Sequence, residues 1–134
     1  EYRGLAKPRG VTRLGVRYIN KIVIPQPSIR LEDYFRVYPT LPTEMGGSHG
    51  SFMIRFEIPH QEDQHAVLVT FGNAPAEKPG EIAHLLDLYD ILQFSETAPC
   101  EQVRSEVARA HDHLEVAFEA SITDRLRKLF ELEG

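Results

Sequence analysis

The stretch Thr12–Pro25, TRLGVRYINKIVIP, decides the architecture. With a side-chain period of two, Leu14, Val16, Tyr18, Ile22 and Ile24 fall on one face, and Arg13, Arg17 and Lys21 fall on the other. A strand this long, apolar on one side and cationic on the other, belongs to a sheet that buries one face. The apolar row has one breach, Asn20, an amide where a core residue is expected. The strand ends at Ile24, because Pro25-Gln26-Pro27 removes backbone donors and blocks further pairing.

Downstream the period stays at two for three more segments. Ser28 is the expected N-cap of a short helix through Leu31, Tyr34 and Phe35, with Glu32 and Asp33 in its first turn. The Pro- and Gly-containing stretch 39–50 follows, its GGSHG read as flexible and exposed. Phe52, Ile54, Phe56 and Ile58 alternate with Met53, Arg55 and Glu57, which predicts a second strand over 51–58 stopped by Pro59. A third strand is expected over 65–71 and a fourth over about 82–94.

After Pro99 the period lengthens to that of a helix. Val103, Val107, Ala110, Leu114, Ala117 and Phe118, then Ile122, Leu126 and Leu129, trace one stripe. Ser121 with Asp124 three residues on is a second start signal, so the spacing allows either one long helix or a break. Together these elements predict an α+β domain spanning 1–134. Its core is a four-stranded, mostly antiparallel twisted sheet, with a short helix after strand one and a long C-terminal helix on one face.

RLGVRYINKI at 13–22, LEDYF at 31–35 and AFEASITDRLRKLF at 117–130 together resemble a family of sporadically distributed, uncharacterised prokaryotic proteins. Its strand motif falls here on Arg13, Gly15, Arg17, Tyr18, Ile19 and Asn20, and its helix motif on Phe118, Glu119, Ile122, Thr123 and Asp124. Members of that family are about twice as long. The resemblance therefore implies the C-terminal half of a longer protein, an expectation in keeping with a first residue, Glu1, that is not Met. It brings no established activity.

Composition narrows the function classes. The net charge of −5 argues against general nucleic-acid binding, which needs a basic excess to release counterions. No apolar run approaches the ~20 residues that cross a bilayer. The single cysteine, Cys100, excludes an intrachain disulfide and a multi-cysteine metal site, and a cytoplasmic location is the expectation.

Three constellations carry chemistry. Arg13, Arg17 and Lys21 recur roughly every 7 Å along one strand face, a spacing that suits a run of phosphates or carboxylates. Gly15 beside them permits close approach of a ligand. Neighbouring-strand acids such as Glu57 and Asp87 would instead turn the stripe into cross-strand ion pairs. On the fourth strand His84 and Asp90 share a face with leucines, and inward pointing would place them on the same surface as Asn20. That face is not decided by periodicity, since the other carries Asp87. His111 and Glu115 stand one helical turn apart but lack a third ligand, so no metal and no cofactor is assigned.

With no catalytic motif, the leading expectation is a non-enzymatic binding or interaction module using the sheet face or the sheet–helix groove. It would pair with a second copy or a protein partner. The alternative is an enzyme or small-molecule-binding protein that holds an anionic ligand on Arg13, Arg17, Lys21, Asn20, His84 and Asp90. Whether any catalysis occurs is left open.

Overall fold

The computed structural model describes residues 11–47 and 50–133. The four segments of period two form a single antiparallel sheet. They are β1 (Val11–Ile24), β2 (Met53–His60), β3 (His65–Ala74) and β4 (Ile82–Ala98), ordered β1-β4-β3-β2. β4 is the longest at 17 residues and sits inside the sheet, pairing with β1 along one edge and β3 along the other. The α+β architecture, with a long C-terminal helix on one sheet face, is thus the expected one.

The alternation of β4 settles which face is buried. His84, Leu86, Leu88, Asp90 and Leu92 all point inward, beside Ile22 and Ile24 of β1 and His65, Val67, Val69 and Phe71 of β3. α1 (Leu31–Tyr34), α2 (Cys100–Ser121) and α3 (Asp124–Glu133) close this face. α2 supplies Ala110 and Leu114, the 122–126 segment supplies Ile122 and Leu126, and the α1 region supplies Tyr34 and Phe35.

The helical stripe breaks after Ser121, and the break has a specific cause. Ile122 leaves the helix to bridge Phe35, with Arg36 N–H donating to the Ser121 carbonyl and Thr123 N–H to the Tyr34 carbonyl. α3 then restarts under a cap from Thr123, whose Oγ1 accepts from Leu126 N–H at 3.3 Å and donates to the Asp33 carbonyl at 2.6 Å. The restart is therefore capped by Thr123, while Ser121 donates back to the Ala117 carbonyl.

Several expected boundaries move. Ser28 does not cap α1; Arg30 precedes it with no side-chain cap. Pro59 does not stop β2, which continues to His60. An outer strand tolerates proline because one of its edges needs no donors. β4 runs to Ala98, beyond Phe94, because it stays paired with β1 up to Val11. Within GGSHG, Gly46, Gly47 and Gly50 are exposed, while 48 and 49 lie outside the described residues, as does Glu1.

Candidate functional site

The basic stripe lies on the sheet face away from the helices. Arg17 forms a two-pronged ion pair with Asp87 on β4, its Nε reaching Oδ1 at 2.9 Å and its Nη2 contacting Oδ2. Lys21 Nζ lies 3.4 Å from Glu77 Oε1. Arg13 makes no ion pair among the described residues, and Glu57 pairs with none of the three. The space over Gly15 is not open to a ligand, because the Tyr89 ring covers it and a methyl there would meet the hydroxyl at 2.7 Å. Arg17 in turn sits 5.7 Å above the Tyr89 ring. The three cations do not converge. Arg17 lines a hollow of about 340 Å³ with Arg55, Leu68, Thr70, Asp87 and Tyr89.

Asn20, His84 and Asp90 do share the inward face, yet they form no common site. Six residues of strand separate His84 from Asp90, roughly 20 Å. Asn20 is half-buried and donates through Nδ2 to the Leu86 carbonyl at 3.2 Å. It edges a hollow of about 310 Å³ with Tyr18, Glu115, Phe118 and Glu119. His84 is enclosed by the rings of Phe35, Phe52 and Phe71, with centroids 5.4, 5.9 and 5.5 Å away. Its Nδ1 has no hydrogen-bond partner among the described residues, and burial holds its proton affinity below the usual imidazole range. His111 binds the Tyr18 hydroxyl through Nδ1, with no ion pair to Glu115 among the described residues.

Asp90 instead anchors a cluster at the other end of the groove. Its Oδ1 lies 2.5 Å from His65 Nδ1 and its Oδ2 lies 3.1 Å from His113 Nδ1. The far nitrogens of both rings meet further carboxylates: His65 Nε2 lies 2.9 Å from Glu106 Oε1, and His113 Nε2 lies 2.9 Å from Asp63 Oδ2. The result is a chain of alternating acids and imidazoles, Glu106–His65–Asp90–His113–Asp63. His60 stacks on His113 with ring centroids 4.1 Å apart.

Local structure fixes each member. Asp90 and His65 occupy inward positions of β4 and β3, and each is 1% exposed. Asp63 belongs to the turn between β2 and β3, where its Oδ1 accepts the His65 N–H at 3.2 Å and so holds the carboxylate over the helix. Glu106 and His113 are seven residues apart on α2, which is two turns and therefore one face. Burial pushes the His65 proton affinity down, but the hydrogen bonds to Glu106 and Asp90 and the charges of Asp90 and Asp63 outweigh it, and the net shift is upward. Burial likewise pushes the Asp63 carboxyl up, and the His65 N–H with the nearby imidazoles more than offsets this, leaving it below the usual range.

Of this cluster the sequence singles out Asp90 alone. His65 carries a signal in principle: it heads an inward row otherwise made of Val67, Val69 and Phe71, as Asp90 interrupts a row of leucines. What joins them to His113 is the fold, since positions 65, 90 and 113 lie on three different elements with no motif spacing.

No protein-family model matches the chain, and neither does any curated protein or solved structure.

Proposed function

We propose that this domain is a non-enzymatic interaction module that docks an acidic, partly apolar segment of another protein on the sheet face away from the helices. One observation carries the reading. No helix packs on that face among the described residues. It displays half-buried Leu68, Leu85, Tyr89 and Ile91, with Ile19 59% and Met53 75% exposed. An uncovered mixed surface of this kind suits a macromolecular contact better than a ligand pocket. Charge selects the partner's sign. Arg13, Arg17, Lys21 and Arg55 outnumber Asp87 and Glu57 on these strands, and Arg13 and Arg55 have no acidic partner among the described residues. The chain as a whole has a net charge of −5, so this basic face runs against its average.

A photo-reactive benzoylphenylalanine in place of Leu85 tests the reading in cells. A discrete heterologous adduct that disappears with Arg55→Glu, in a variant of unchanged circular dichroism, is the expected result. An adduct of two copies of this chain overturns the acidic-partner reading in favour of self-association, and so does an adduct indifferent to Arg55→Glu. A small anionic ligand is a second reading, favoured by the hollow that Arg17 shares with Arg55, Thr70 and Tyr89. It predicts thermal stabilisation at low salt by phosphorylated metabolites or acyl acids, lost in Arg17→Ala.

A further inference from the structure

We propose that His65, Asp90 and His113 bind one divalent transition-metal ion of the zinc class. The ligand atoms are the two Nδ1 nitrogens and a carboxylate oxygen, while Glu106 and Asp63 orient the two rings. The site uses residues distinct from those of the outer sheet face, so it stands or falls independently of the docking reading.

A histidine that ligates a metal usually donates its other ring N–H to a carboxylate, which fixes both the ring and the lone pair. Here each ring has a second carboxylate at its far nitrogen: Glu106 hydrogen-bonded to His65, and Asp63 at ion-pair distance from His113. With N–H placed at each Nε2, both Nδ1 lone pairs face the oxygens of Asp90. Lone pairs directed at carboxylate oxygens repel unless a proton or a metal cation lies between them.

Charge points the same way. The two rings stand 5.1 Å apart between centroids, with His60 stacked on one of them, and each turns a nitrogen to the same carboxylate, Asp90. A single dication would sit where these three ligand atoms converge. Three carboxylates around two imidazoles leave ample negative charge to hold it.

The candidate ligand atoms lie within 4.8 Å of one another. Ligand atoms on a tetrahedral zinc ion are ~3.4 Å apart, so the Asp90 oxygen, 2.5 Å from His65 Nδ1, has to withdraw by about 0.9 Å. Nitrogen and oxygen donors without thiolate favour zinc, cobalt, nickel, iron or manganese over copper(I). Three protein ligands leave a fourth position free. It opens on the His113 side, where that side chain is 17% exposed while those of His65 and Asp90 are sealed.

The test is a titration of chelator-stripped protein with Zn2+ and, separately, Co2+. We expect one zinc ion per chain by calorimetry, a rise in melting temperature, and visible cobalt absorption of tetrahedral or five-coordinate character. His113→Ala, at the water-facing end of the cluster, abolishes all three. Glu106→Gln keeps every ligand and weakens binding about 10–100-fold. His111→Ala, whose ring lies outside the cluster, leaves binding unchanged. An absence of binding in the wild-type protein overturns the proposal and leaves a network held by protons. Zinc binding that survives His113→Ala overturns it as well, since the ion then sits elsewhere on the surface. Circular dichroism of His113→Ala separates loss of a ligand from loss of the fold.

Discussion

His84 shows how one buried residue imposes a pH dependence on the whole fold. Its ring is 1% exposed among Phe35, Phe52 and Phe71, and burial depresses its folded-state pKa below the reference value of 6.5. Protonation of the native protein would place a charge among phenyl rings, whereas the unfolded chain protonates freely near 6.5. Between the two values the unfolded state binds more protons, so stability rises with pH there. This contribution is fully present above about 6.5 and is lost as the pH falls towards the folded value. No charged side chain contacts the ring among the described residues, so its apolar surroundings alone set the effect. We expect His84→Phe to lose less stability than the wild type between pH 7 and pH 5, by urea denaturation at each pH. The remaining histidines are common to both proteins and cancel in the difference. Identical pH profiles would refute this account of His84.

At the scale of elements, α2 is held by one deep row rather than by its own propensity. Leu114 is fully buried in the core, and Ala110, also fully buried, lies one turn before it. Leu114→Ala therefore removes apolar contacts and leaves a cavity that the rigid sheet cannot close, for an expected loss of about 2–5 kcal/mol. A melting temperature unchanged by that substitution would exclude the sheet-on-helix packing. The same row explains what was readable in advance. Strand periodicity and the stripe Val103–Phe118 specify elements and buried faces, because alternation and helical spacing are properties of a single segment. The helix restart at Thr123 was only half legible: a start signal was present, but its cap depends on the Asp33 carbonyl, 90 residues earlier. The His65–Asp90–His113 cluster was illegible for the same reason. Each residue looks like an isolated polar breach in its own element, and only the register of β3 with β4 and the placement of α2 join them. The stripe Arg13–Arg17–Lys21 was legible as a spacing, but its partners were not: the register of β1 with β4 pairs Arg17 with Asp87 and lays Tyr89 over Gly15.

At the scale of the molecule, chain order and sheet order disagree. β2, β3 and β4 are sheet neighbours joined by the short connections 61–64 and 75–81, whereas β1 pairs only with β4, the last strand in the chain. Ile24 meets Ile82 and Val11 meets Ala98, so every β1 pair closes a loop of more than 50 residues. Loop closure of that length costs entropy before any contact offsets it, while the meander is assembled from local steps. α2 begins two residues after β4 ends, so it lies next to the strand it covers. It cannot be fully seated without β1, because it packs on both strands. Pulse-labelled hydrogen exchange during refolding should find amides of β3 and the β3-facing edge of β4 protected first, with those of β1 and α2 protected together and later. Protection of β1 as early as β3 would show that long-range closure precedes the meander. In the assembled sheet β1 carries most of the cations named on the face left open, so the strand whose pairs close the longest loops also sets the charge of that face.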